Sequence, residues 1–299
     1  MSKQVKIRQS PQDRRGLGET GQGTAGMQQS DAKPPRHASV QTIAQWAGGA
    51  EWRLSLPHSV PQHALIWITR GQGIATIEGL RRGIGVHNAL AIPAGTLFSL
   101  DLGRQGFGLV CLVPAGGPIL MPDQPQHLRI RDVQSQAEIT GILESMQREQ
   151  NGVRPFMDEA LDAHAVLLTV WLRRIMIARD APEPPGAAAR LVMAYAALVE
   201  RDFASGRGVA ELAGKLGVTP THLTRCCRQC AGLTAAELLT SRSLHAARER
   251  LETGHLPIRV IAAELGFGSA AYFSRFILHH TGLSPRELRD TTGAGRQAG

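Results

Sequence analysis

The sequence lacks what a chain needs to enter or cross a membrane. No stretch of its 299 residues approaches the ~20 uncharged apolar residues that a span requires. The opening segment, MSKQVKIRQSPQDRRGLGET, is basic but has no apolar core, so it does not read as a secretory signal. Cysteine is scarce. Of Cys111, Cys226, Cys227 and Cys230, three crowd one short segment, which is not the spacing of a disulfide framework. The His-x-His pairing common in metal-holding barrels is missing, since His58, His63 and His87 are scattered. These absences favour a cytoplasmic chain. At 42% hydrophobic content, 299 residues suffice for two ordinary domains with cores.

The net charge of +8 is unevenly placed. Residues 1–36 hold seven Lys/Arg against three Asp/Glu, residues 37–185 hold 12 against 13, and residues 186–299 hold 14 against nine. A neutral middle with a basic C-terminal third suggests a nucleic-acid-binding region joined to a neutral domain.

Residues 1–37 are polar and rich in Gly, Gln and Ser, the composition of a disordered tail. Residues 38–178 read as one domain. HALIWITRGQGIATIEG (63–79) carries apolar runs split by Gly71 and Gly73, a hairpin signal. GIGVHNALAIPAGTLFSLDLG (83–103) repeats the pattern around a Pro-Ala-Gly turn, and such short strands suggest a small barrel. The period then changes. Ile139, Ile142, Leu143 and Met146 mark one helix face, and the run from Phe156 to Ala178 is apolar on more than one side, which suits a dimer surface as well as a closed monomer core. The prolines of RDAPEPPGAAA (179–189) mark a linker. Residues 190–292 read as helical throughout.

That last region contains the same segment twice. Val209, Leu212, Ala213, Leu216 and Gly217 recur 49 residues later as Ile258, Ile261, Ala262, Leu265 and Gly266. Past the turn the offset is 50: Leu223, Arg225 and Gly232 recur as Phe273, Arg275 and Gly282. Each copy reads as a helix–turn–helix. The Ala allows close crossing and the Gly ends the first helix in a left-handed conformation. Thr219-Pro220 caps and starts the next helix, and Ser269 is its counterpart. Thr234…Glu237 and Ser284…Glu287 each fit a capping box. The helix from Thr234 to about Gly254, ~30 Å long, joins the units and can set two recognition helices in successive major grooves. The alternative is a purely structural helical repeat, for which two copies are few.

At IAAELGFGSAAYFSRFILHHTGLSPRELR (261–289) the sequence resembles the AraC/XylS family of bacterial transcription regulators. The resemblance is strong over the last ~110 residues and looser over the barrel and its helices. It implies an α+β chain: a cupin-like N-terminal β-barrel with two trailing helices, then an all-α domain of two helix–turn–helix units joined by a long helix. It implies double-stranded promoter DNA as partner, a small-molecule effector, a homodimer and a meeting with RNA polymerase. Carried over by position, Thr221, Thr224 and Arg225 of the first unit and Ala271, Tyr272 and Arg275 of the second face the bases. Arg can grip guanine bidentately and Thr can bond a base edge or touch a thymine methyl. His222, Arg228, Ser269 and His279 are assigned to phosphates. The chain departs from the family where Ile277-Leu278 replaces a frequent Phe-Lys and removes a cation, and where Cys227 stands in place of a core aromatic.

Cys226, Cys227 and Cys230 allow two readings, a redox or metal switch on the recognition helix or small core filler. In the barrel, Phe98 of PAGTLF stands where a cupin metal enzyme would place a His, so no catalytic residue, metal or cofactor is assigned. A ligand pocket lined by Trp67 and Phe98 is expected instead. The sum is a DNA-binding transcription regulator under effector control. The alternatives are a metal-dependent cupin enzyme tethered to DNA and a constitutive DNA-binding protein without effector.

Overall fold

Alternation along the strands decides the N-terminal architecture. In the strand Gln62–Arg70, Leu65 and Trp67 belong to one core while Ala64, Ile66 and Ile68 belong to another. Successive side chains of a strand point to opposite faces, so both faces of this sheet are buried and the middle of the strand, residues 64–68, is an unbroken apolar run. The computed structural model describes residues 36–103, 105–152, 154–179 and 183–296, with side chains to residue 290. All of the tail expected over 1–37 except Arg36 and His37 lies outside the described residues, as do Asp180, Ala181 and Pro182 of the expected linker.

Eight strands are described: β1 (Ser39–Thr42), β2 (Gln62–Arg70), β3 (Gln72–Ile77), β4 (Leu80–Gly85), β5 (Asn88–Ile92), β6 (Phe98–Asp101), β7 (Phe107–Pro114) and β8 (Gln126–Arg129). They form two antiparallel sheets, a five-stranded one in the order β1-β7-β2-β5-β8 and a three-stranded one in the order β4-β3-β6. Two short helices, α1 (Ile43–Trp46) and α2 (Trp52–Ser55), follow β1.

The expected closed barrel is not what these strands form. At Gly71 and Gly73, read from sequence as a hairpin, the chain passes from one sheet to the other; the tight turn is instead at Glu78-Gly79, where both residues have positive φ. The Pro93-Ala-Gly95 turn likewise crosses between sheets, from β5 to β6. Edge strands β4 and β8 carry Arg81, Arg82 and Arg129, and charged edges resist further pairing. The result is a sandwich. Its inner core includes Ile66, Ile92, Phe98 and Val110.

Helices α3 (Val133–Gly152) and α4 (Met157–Ala178) cover the outer face of the larger sheet. Ile139, Leu143 and Met146 of α3 meet Leu161, Leu168, Trp171 and Leu172 of α4 over Leu65, Trp67 and Cys111. Burying each large apolar side chain is worth about 1.5–3 kcal/mol.

The C-terminal region is all helical: α5 (Ala187–Asp202), a 3-10 turn (Phe203–Ser205), α6 (Val209–Lys215), α7 (Pro220–Ala231), α8 (Ala235–Thr253), α9 (Ile258–Glu264), α10 (Ala270–Thr281) and α11 (Pro285–Arg296). It has two cores. One gathers α5, α6, α7 and the start of α8, and it includes Leu97 from the sandwich. The other gathers the end of α8 with α9, α10 and α11, and Leu56 packs against it. Among the described residues no helix is long and apolar enough to cross a membrane.

Candidate nucleic-acid interface

The two repeats fold as two helix pairs with matching joints. Gly217 and Gly266 end α6 and α9 at φ +69° and +75°. Gly232 and Gly282 close α7 and α10 at φ +74° and +73°. The hydroxyl of Thr219 accepts from the N–H of His222 at 3.2 Å, and that of Ser269 accepts from the N–H of Tyr272 at 3.1 Å. Both capping boxes form. Glu237 accepts from the Thr234 N–H at 2.6 Å and Glu287 from the Ser284 N–H at 2.6 Å. Those bonds hold both carboxyls below their ordinary pKa.

Leu223, Cys226 and Cys227 hold α7 on its core, as Phe273 and Ile277 hold α10. The opposite faces look outward. Thr221, His222, Arg225 and Arg228 are exposed on α7, and Thr224 is half-buried beside them. On α10, Ala271, Tyr272, Arg275 and His279 are exposed, with Ser269 at its cap. The residues expected to read bases thus lie on one outward face of each second helix. Arg225 donates to Nδ1 of His222 at 3.0 Å, which leaves the His222 Nε2–H directed toward Cys226 Sγ at 3.8 Å. Tyr272 leans against Phe267 with ring centroids 5.8 Å apart. Among the described residues neither Arg225 nor Arg275 has a carboxylate partner, so both guanidinium groups are available to an acceptor.

The cysteines read as core. Cys226 and Cys227 are buried, Cys230 is half-buried, and burial pushes the Cys227 thiol up to about 12 and raises that of Cys230. Such thiols are poor nucleophiles. Among the described residues no group of three or more His, Cys, Asp or Glu side chains is placed to hold a metal ion.

Trp67 and Phe98, expected to share a pocket, do not. Trp67 lies in the core under α3 and α4, where its indole N–H donates to Thr140 Oγ1 at 3.0 Å, and it lines an open groove with His87 and Thr140. Phe98 lies inside the sandwich, stacked on Trp46 at 5.8 Å and tilted against His58 at 4.3 Å. The larger sheet separates them because Trp67 faces the helices and Phe98 belongs to the opposite core.

Sequence reading missed a polar seam that ties the sandwich to both helical cores. Arg242 of α8 donates to both carboxylate oxygens of Glu200 at 2.6 and 3.0 Å, and its guanidinium lies 3.9 Å over the Phe203 ring. Ser59 donates to the same Glu200 at 2.7 Å. His58 and His245 stack in parallel at 4.5 Å, and the His245 ring bonds the Arg53 carbonyl oxygen at 3.1 Å. Burial pulls His58 down to about 4, with the Arg242 charge adding to it, and pulls His245 down as well. These partners lie 42 to 192 residues apart, and no local pattern announces them.

This arrangement is a double helix–turn–helix domain, two short helix pairs joined by one long helix with the second helix of each pair turned outward. A family model described as a helix-turn-helix domain matches residues 212–291. An HTH-type transcriptional regulator of Mycobacterium tuberculosis is 32% identical over 81 residues, 27% of this chain and 31% of that one. The arabinose operon regulatory protein of Salmonella typhimurium is 27% identical over 124 residues, 42% of this chain and 44% of that one. The matches therefore span less than half the length of these relatives. Over these residues the chain is similar to the arabinose operon regulatory proteins, in keeping with the AraC/XylS resemblance read from its second repeat. Among solved structures, ToxT of Vibrio cholerae aligns over 84% of this chain and 96% of its own at 16% identity, with a TM-score of 0.39. The C-terminal domain of AraT, a response regulator from Geobacillus stearothermophilus, aligns over 36% and 88% at 28% identity, with a TM-score of 0.33.

Proposed function

We propose that the chain is a sequence-specific DNA-binding transcription regulator whose two outward helices enter adjacent major grooves. One observation carries this reading: α7 and α10 present Thr221 and Arg225, and Ala271 and Arg275, at equivalent positions of two matching units joined by α8, with Thr224 and Tyr272 beside them. Arg225 and Arg275 grip bases, and Thr221, Thr224 and Tyr272 add contacts to base edges and methyl groups. His222, Arg228, Ser269 and His279 hold phosphates and fix the register. The sandwich of residues 38–178 is the sensing and dimerisation domain, and residues 190–292 are the DNA-binding domain.

The dimer surface falls on α4. Ala163, Leu167, Val170, Arg174 and Ile177 recur at three- and four-residue spacing, and Leu167 and Ile177 are 54% and 85% exposed. A second copy of α4 would cover that stripe as in a coiled coil.

Competition binding of the full chain to a selected operator tests the base-reading roles. Arg225→Ala and Arg275→Ala should each cost about 1–3 kcal/mol and relax preference at distinct base positions. Wild-type affinity and preference in both variants would refute the assignment.

A further inference from the structure

A pocket of about 320 Å³ opens between β8 and the C-terminal end of α4, lined by His127, Leu128, Arg129, Arg131, Ile175 and Arg179. Its floor is built rather than incidental. His127 Nε2–H donates to Asn88 Oδ1 at 2.6 Å, and the Asn88 amide donates to the Val86 carbonyl oxygen at 3.2 Å, which fixes both side chains. Asn88 and Leu128 are buried. Arg179 donates to the His127 carbonyl oxygen at 3.2 Å and so ties the end of α4 to β8.

Positive charge accumulates here among the described residues. Arg82 on β4 lies close enough, with Arg129 and Arg179, to act on the His127 ring; burial first and then these charges hold His127 below its ordinary pKa. Among the described residues none of Arg82, Arg129, Arg131 or Arg179 forms an ion pair with a carboxylate. Glu78, the acid that feels Arg82, is not within ion-pair distance of it. Several guanidinium groups around one concavity repel each other until an anion fills it, and their planar forks match carboxylate and phosphate oxygens. Leu128 and Ile175 add an aliphatic wall, so the occupant has an apolar body too.

We propose that this pocket binds a small organic anion with at least two acidic groups, such as a dicarboxylate or a phosphate ester. The proposal deepens the sensing role given above and depends on it for biological meaning, not for binding. Two features connect the pocket to the DNA-binding domain. Arg179 ends α4, from which the chain continues to α5. Arg81, beside Arg82 on β4, lies next to Gly232, the residue that closes recognition helix α7, where an added Cβ would meet its Cδ at 3.5 Å and its Nη1 at 3.6 Å. An anion that draws Arg82, Arg129 and Arg179 together pulls on both connections.

Calorimetric titration of the full chain in phosphate-free buffer tests the idea, with succinate and pyrophosphate as probes and operator affinity measured on the same samples. The expected result is saturable binding of at least one probe at one site per chain, weakened at least tenfold in Arg129→Gln and in Arg179→Gln. The melting temperature of Arg129→Gln should stay at the wild-type value, because that side chain is exposed, and this variant is the control for Arg179→Gln, which also loses the bond to the His127 carbonyl oxygen. No saturable binding of either probe, or equal binding by wild type and both variants, overturns the proposal. If the substitutions instead flatten the salt dependence of DNA binding and no probe binds, the arginines serve backbone phosphates and the proposal fails. Loss of operator binding by wild type in every condition would sink the regulator reading and leave the anion measurement valid.

Discussion

Arg225 shares an acceptor with its own helix. Its bond to His222 Nδ1 aligns the guanidinium along α7 and leaves its other N–H groups free. Among the described residues Arg275 has no such brace, so the two guanidinium groups differ in preorganisation. His222→Ala should therefore weaken operator binding by more than loss of one phosphate contact when Arg225 is present, and by less in an Arg225→Ala background. A double-mutant cycle on operator affinity checks this, and strict additivity would show that the brace is irrelevant. Arg228 has a different expected signature. Arg228→Ala should lower affinity for all sequences alike and reduce the salt slope by about one.

At the scale of elements, the paired units differ at their turns. Gly217 has open space where a Cβ would go, so Gly217→Ala carries only the strain of its left-handed backbone, about 1–2 kcal/mol. Gly266 has the same backbone, but a Cβ there would meet Gly206 N at 2.4 Å and Ala204 O at 2.5 Å. Gly266→Ala must displace backbone as well and should cost clearly more in denaturant unfolding. Equal costs would contradict the close approach. The helical elements were legible in the sequence because caps and the 3.6 period are local signals: Thr219, Thr234, Ser269 and Ser284 mark helix starts within a few residues of where they act. The sheet was less legible. Ala64–Ile68 is apolar at every position, so it does not say which side chain faces which core, and Gly71 looks like a hairpin turn although it carries the chain between sheets. The short β8 and the seam depend on partners far away in the sequence.

At the scale of the whole molecule, the seam governs how firmly the sandwich holds the helical domain. Glu200 and Arg242 are mostly buried, and removing one partner strands the other; Arg242→Ala should destabilise by about 3–5 kcal/mol. The stacked imidazoles set a pH dependence. His58 takes up its proton near 4 when folded but near its ordinary value when unfolded, so the unfolded chain binds more protons in between. Stability is full above about 6.5 and falls as pH drops toward 4. Thermal unfolding should show that slope, and His58→Gln should flatten it. The Glu200 carboxylate and the Arg242 guanidinium face the same cluster. Association is the other property at this scale. Leu167→Asp should convert a dimer to a monomer in sedimentation without lowering the melting temperature of the protomer, because Leu167 is exposed in the single chain.

Whether two matched helices read DNA is decided by selection of genomic fragments with the purified full chain, run beside the Arg225→Ala/Arg275→Ala double variant. Wild type should enrich a few fragments carrying two sub-sites about one DNA turn apart, and the folded variant should enrich none. Equal enrichment by both proteins, or only salt-sensitive background from folded wild type, would contradict it.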